Sequence, residues 1–211
     1  MAYSTRMAAA LSGATAGQIR HWRYDTSHGP VLVPELASRP RALYSFRDVL
    51  ALRAVVYLRR EVSLQKVRTA LGTLRGFGEL EHLSSYSLAT EGDTIVLVTE
   101  RGGIDLVKKP GQVLLATMAE ILEPFSTRPG VVVPRLFQPR RHLTVDPRTQ
   151  GGVPVIAGTR VPYDVVAELV EDGITPDRVA DYYPAVGPEA ARDAVDFALY
   201  VDSFGQGAQA V

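Results

Sequence analysis

Cysteine is absent from the 211 residues. Its absence excludes disulfides, thiolate metal centres and thiol nucleophiles, and fits a reducing compartment. Histidine is scarce: His21, His28, His82 and His142 are scattered without metal-ligand spacing, so no metal site is expected. No apolar run approaches the roughly 18 residues of a membrane span. The start, "MAYSTRMAAALSGATAG", lacks a basic leader followed by a long apolar core, and the expectation is a soluble, cytoplasmic protein. Catalytic machinery is missing as well. Asp177 and Asp181 share a helical face at i, i+4, but no nucleophile or histidine is placed with them, so neither an enzyme nor a cofactor is expected.

Net charge is also lacking, since 23 basic side chains balance 23 acidic ones. The balance hides a strong partition. Residues 1–76 hold 12 Arg/Lys against 4 Asp/Glu (+8), residues 77–142 hold 7 against 8 (−1), and residues 143–211 hold 4 against 11 (−7). One end is suited to an anion and the other is not, an asymmetry that suggests two partners. With 46% apolar residues the chain can build packed cores, as one large or two to three small domains.

The basic segment opens with "STRMAAALSGATAGQIRHWRY". A short Ala-rich helix from about Thr5 to Leu11, a turn at Ser12-Gly13 and a second helix capped by Thr15 read as a helix-turn-helix. Val49, Leu52 and Val56 then make the apolar face of a third helix, and Ser63 caps a fourth carrying Leu64, Val67 and Leu71 at helical spacing. From about Gly76 the pattern turns to the short β runs "SYSLA", "TIVLVTE", "IDLV" and "QVLL". The separators Glu91-Gly92-Asp93, Arg101-Gly102-Gly103 and Lys109-Pro110-Gly111 predict an antiparallel sheet of three or four strands. "TMAEILEPF" is a candidate for a further helix, and "STRPGVVVPRLFQPRRHL" reads as an extended connector. The acidic end predicts helices from about Pro162 to Asp172, Thr175 to Tyr183 and from Pro188, the last with Ala191, Val195, Ala198 and Leu199 inward. "SFGQGAQAV" reads as a flexible tail.

The stretch "QGGVPVIAGTRVP", Gln150 to Pro162, invites comparison with a phosphate cradle. A Walker-type loop needs four residues between its glycines and a following Lys. Here five residues separate Gly152 from Gly158, Thr159 stands where the Lys should be, and Pro154 lacks an N–H to donate. The residues read instead as a short buried strand, Val155-Ile156, followed by a turn at Gly158.

Two resemblances follow from these motifs. Tyr3, Ser4, Gly13, Thr15, Ile19, Arg20, His21, Trp22, Tyr44, Ser45, Asp48 and Val49 match the pattern of the MerR-type winged helix-turn-helix. The chain departs from it at Ala16 and Gly17, where Pro and Lys/Arg are common, and lacks its long coiled-coil dimerisation helix. Asp146, Pro147, Gly151, Gly152, Pro154, Ile156, Gly158, Thr159, Arg160, Val161, Pro162, Tyr182 and Pro184 resemble a small bacterial domain family of unknown function. Members of that family occur as antitoxins beside PIN-type ribonuclease toxins, and the resemblance implies that Gly158-Thr159-Arg160 is a structural corner.

The expected fold class is therefore α+β. Residues 1–76 form a MerR-like winged helix-turn-helix, 77–142 a small antiparallel β-rich middle region and connector, 143–202 a three-helix, helix-turn-helix-like bundle, and 203–211 a tail. The recognition helix would turn Thr15, Gly17 and Gln18 to bases and Arg20, His21 and Arg23 to phosphates. Tyr24, Arg41 and Tyr44 complete the candidate DNA-binding set. Candidate partner-binding residues are Arg160, Glu189, Arg192, Asp193 and Asp196, the three acids lying outward on the last helix, where duplex phosphates would be repelled. The expected function, from resemblance to VapB-type antitoxins, is repression of the chain's own promoter and neutralisation of a PIN-type toxin. The alternative is a MerR-like regulator sensing a small organic ligand through the middle region. A homodimer is expected, paired through an exposed sheet edge.

Overall fold

The computed structural model describes residues 2–24, 29–76, 87–91, 94–99, 102–105, 107, 122–128 and 130–204. Helix α1 (Thr5–Ser12) starts where the Ser4 hydroxyl accepts from the Met7 amide, and it stops at Gly13, whose φ of 82° is the left-handed conformation glycine tolerates best. Ala8, Ala9, Ala10 and Leu11 are all fully buried. The alanines are small because α1 is packed on two sides, by α3 (Phe46–Leu58) and by α6 (Pro188–Ser203). Helix α2 (Ala16–Trp22) begins in a capping box, in which the Thr15 hydroxyl accepts from Gln18 N while the Gln18 side chain accepts from Thr15 N. Ile19 and Trp22 face the core one turn apart.

Between α2 and α3 the chain forms the wing. Ala37 and Leu43 exchange two backbone hydrogen bonds, 2.9 and 3.3 Å, and Tyr3 and Tyr44 exchange another pair, 2.8 and 3.0 Å. Ser45 and Asp48 then build a second capping box. The buried Asp48 carboxylate also accepts from the Glu35 amide at 3.0 Å, so one side chain starts α3 and anchors the loop before it. Helix α4 (Leu64–Gly76) follows a Ser63 cap.

The middle region contains an antiparallel sheet in the order β1 (Ser87–Glu91), β2 (Thr94–Thr99), β3 (Gly102–Asp105). Leu88 pairs with Leu97, and Leu97 with Ile104. Gly102 and Gly103 lie in β3 opposite Thr99 and Val98, not in the preceding turn as expected. "QVLL" lies outside the described residues, as does most of "TMAEILEPF", of which Phe125 opens β4 (Phe125–Arg128). The expected extended connector is partly sheet, because β4 pairs antiparallel with β5 (Val131–Val133) around Gly130.

Residues 143–204 form a two-stranded pair, β6 (Leu143–Thr144) with β7 (Val155–Ile156), then α5 (Tyr163–Glu171), a 3-10 helix Pro176–Asp181 and α6. The inward face of α6 is Ala190, Ala191, Ala194, Phe197 and Val201. This corrects the expected set: Leu199 is 66% exposed, and Val195 and Ala198 are only half-buried. The stripe is rotated because Phe197 inserts between Tyr163, at 4.9 Å between centroids, and Tyr200, at 6.0 Å. Ser203 closes α6 and Phe204 is buried, so the expected tail begins too early at 203.

The C-terminal segment does not close its core alone. One continuous apolar cluster runs from Tyr3 through α1 and α3 to Val166, Phe197 and Phe204. Tyr200 Oη donates to Ala10 O at 3.1 Å, and Arg6 pairs with Asp202 at 2.9 Å. A Cβ on Gly152 would collide with Tyr3 Oη. The Gly151-Gly152 turn thus lets the second segment seat directly on Tyr3. Across the middle, buried Arg53 of α3 donates to Leu11 O at 2.7 Å, Glu123 O at 2.8 Å and Pro134 O at 2.6 Å, with Phe125 beneath its guanidinium at 5.0 Å. Burial draws its pKa down to about 10, so it remains charged at neutral pH. Arg53→Met keeps the volume and removes the donors, and should lower unfolding free energy by about 3 kcal/mol. Denaturant unfolding checks this; a loss under about 0.5 kcal/mol would contradict the role given to the clamp.

Candidate nucleic-acid interface

The α2 surface is set by its cap. Because Thr15 Oγ1 accepts from Gln18 N at 3.1 Å and Gln18 Oε1 accepts from Thr15 N at 2.8 Å, the Gln18 amide group keeps its N–H donors for a ligand. Gly17, Gln18, Arg20 and His21 are exposed along the same helix, with Thr15 half-buried at its start. The Arg68 guanidinium lies 3.4 Å from His21 Nε2. Tyr24 is 63% exposed just beyond the helix, and Arg41 is exposed on the wing. These positions, apart from half-buried Thr15, present polar groups outward from one helix and its flanking wing. A helix entering the major groove requires that arrangement.

Two of the expected DNA-facing residues are placed differently. Tyr44 is fully buried, held by its backbone pairing to Tyr3, and cannot reach DNA. Burial raises its pKa against the opposing pull of Arg23. Arg23 is half-buried and donates through Nη2 to Ser38 O at 2.7 Å, so it braces the wing against α2, and one edge of its fork is already committed. A cleft of about 490 Å³ lies between these elements, lined by Arg20, Arg23 and Tyr24 on one side and Val33, Ser38 and Arg39 on the other. Arg39 was missed in the sequence, although its place between the paired Ala37 and Leu43 puts it with Arg41 at the wing tip. Arg59 and Arg60, exposed at the end of α3, were also missed, because that helix was read only for its apolar face.

The acidic end is more paired than expected. Asp193 accepts from His142 N and from His142 Nδ1, both at 2.8 Å, and so fastens the connector to α6. Asp196 pairs with Arg140, whose guanidinium lies over the Phe197 and Tyr200 rings at 5.5 and 5.2 Å. Asp193 is half-buried, and Asp196, although exposed as expected, is ion-paired, because the connector returns along this side of the helix. Glu189 and Asp177 both pair with Arg192. Arg160 is exposed, and its backbone carbonyl accepts from Gln150. Its neighbours make the corner: Thr159 N and Oγ1 both donate to Ile156 O, and Val161 N donates to Thr159 Oγ1. Four exposed carboxylates with no basic partner among the described residues sit on α5 and just past it: Asp164, Glu168, Glu171 and Asp172.

Comparison with known proteins matches two segments of the chain. Residues 3–73 match the MerR HTH family regulatory proteins, and residues 143–198 match a family described as a protein of unknown function (DUF433). The chain therefore carries a MerR-type helix-turn-helix domain at its N-terminus and a DUF433 domain near its C-terminus, on an α+β framework. A MerR-type domain implies a DNA-binding regulator. The crystal structure of Rv2018 from Mycobacterium tuberculosis has a similar fold, with a TM-score of 0.53 at 18% identity over 92% of this chain and 96% of that one. No curated protein matches the chain. Among the described residues, no helix is long and apolar enough to cross a membrane.

Arg20→Ala should weaken binding to the DNA upstream of the gene and reduce the slope of log K against log salt by about 0.9, the effect of one lost phosphate contact. Anisotropy titrations at several salt concentrations measure both. A folded variant with wild-type affinity and slope would remove α2 from the interface.

Proposed function

We propose that this protein is the antitoxin of a type II toxin–antitoxin pair, similar to VapB-type antitoxins. Its helix-turn-helix represses its own promoter, and its C-terminal segment binds and neutralises a PIN-type ribonuclease. The observation that carries the reading is the charge partition, +8 over residues 1–76 and −7 over residues 143–211. A ribonuclease groove must attract RNA phosphates, and a surface of fixed carboxylates can occupy it as a charge mimic. Asp164, Glu168 and Glu171 recur at i, i+4 and i+7 on α5, on one helical face. Because Asp193 and Asp196 serve internal contacts, α5 is the better candidate for that surface than α6.

Dimerisation completes the proposal, since one recognition helix reads too few base pairs for specificity. Among the described residues β1 and β3 are the edges of their sheet, and an edge strand can pair with its copy.

Expression of the intact operon with a tag on this chain tests the reading. A small ribonuclease should co-purify, and its RNA cleavage should return when the two are separated. Replacing Glu168 and Glu171 with Lys should slow association of the complex, most at low salt. Recovery of the chain without a protein partner, with promoter binding changed by an organic ligand instead, would favour a small-molecule regulator.

A further inference from the structure

Beside the helix-turn-helix turn lies a cleft of about 170 Å³ that α2's groove-facing surface does not account for. Its walls are Gly13, Thr15 and Gln18 from the turn, Trp22 of α2, Val56, Arg59 and Arg60 from the end of α3, and Thr127 of β4. Arg59 and Arg60 have no carboxylate partner among the described residues, and no carboxylate lines the cleft. The Arg60 guanidinium is held over the Tyr57 ring at 5.0 Å and near Phe125 at 6.0 Å, which fixes its plane and leaves its N–H groups open. Thr127 Oγ1 is buried with no hydrogen-bond partner, an arrangement that costs stability unless a ligand satisfies it. The Gln18 amide and the Thr15 hydroxyl keep hydrogens to donate, since in the capping box each uses its oxygen as an acceptor.

Every open polar group of the cleft can therefore donate, two of them with full positive charge. Such a set suits an oxyanion with several acceptor oxygens, and the planar forks of Arg59 and Arg60 suit a tetrahedral phosphate. Location narrows the source. Thr15 and Gln18 belong both to the cleft and to the end of α2 that would approach base edges, and the backbone bordering a groove passes beside the turn of a docked helix-turn-helix. We propose that this cleft is a phosphate-binding site, filled in the DNA complex by a backbone phosphate flanking the groove that α2 enters. The DNA assignment rests on the regulator reading; the phosphate chemistry of the cleft does not. Arg59, Arg60 and Thr127 thereby become positioning contacts that set where α2 sits, without reading sequence.

The test uses the full chain, with Arg59→Gln/Arg60→Gln and, separately, Thr127→Val. The arginine pair should weaken upstream DNA and an unrelated duplex by similar factors and reduce the salt slope by about 0.9. T127V should weaken both duplexes while leaving thermal stability equal to or above that of wild type, because it removes an unsatisfied buried hydroxyl. A merely structural residue would not separate the two readouts. An unchanged slope in folded R59Q/R60Q, with R20A still impaired, would overturn the proposal while sparing the DNA reading. If wild type binds no duplex, titration with inorganic phosphate decides: binding lost in R59Q/R60Q would retain the cleft as a site for a free phosphate group, and no binding to wild type would overturn it.

Discussion

The buried Arg53 guanidinium is the constraint on which the rest of the molecule depends. A charged fork out of contact with water must find acceptors, and those it reaches include the carbonyls of Leu11, Glu123 and Pro134. These belong to the end of α1, to the approach to β4 and to the segment leaving β5. Satisfying one side chain therefore fixes three stretches far apart in sequence. The turn after α1, which leads into α2, is thereby positioned by groups that lie outside α2.

The same economy joins the acidic end to the basic one. The two ends carry opposite charge, yet α1 lies between α3 and α6 with its alanines fully buried. Tyr3 holds the Gly151-Gly152 turn, Tyr200 holds Ala10, and Arg6 holds Asp202. The ion pair between Arg6 and Asp202 is exposed and contributes at most about 1 kcal/mol. Apolar burial around Phe197 and Tyr200 stabilises the junction more. A partner held by the C-terminal segment would thus contact a body that shares its core with the DNA-reading helix.

Local grammar was legible in the sequence and return contacts were not. Thr15 and Ser63 were readable as caps, Gly13 as a stop, and Ile19 as an inward residue, because each depends on neighbours within one helical turn. The phosphate-cradle reading of Gly152 to Gly158 could be rejected from its spacing, its missing lysine and Pro154. The true task of Gly152 could not be read, since its reason is a tyrosine 149 residues earlier. Tyr44 was expected at the DNA, but its backbone pairing with Tyr3 buries it. Asp193 and Asp196 looked free because a helical wheel does not show the connector that returns as His142 and Arg140. Helical spacing alone points to Val195 and Leu199 as the inward stripe, and the rotation to Phe197 is decided by the Tyr163 and Tyr200 rings.

The two ends share one core and should unfold as one cooperative body, and Trp22, the single tryptophan, gives a direct reading of it. Trp22 is buried in the helix-turn-helix, whereas Phe197 is buried in α6. Phe197→Ala should destabilise its own surroundings by about 3–5 kcal/mol. In one cooperative body, denaturant unfolding followed by Trp22 fluorescence shifts to lower denaturant together with the far-ultraviolet dichroism signal. A Trp22 transition that stays at the wild-type midpoint while the dichroism of the C-terminal helices is lost earlier would contradict the account.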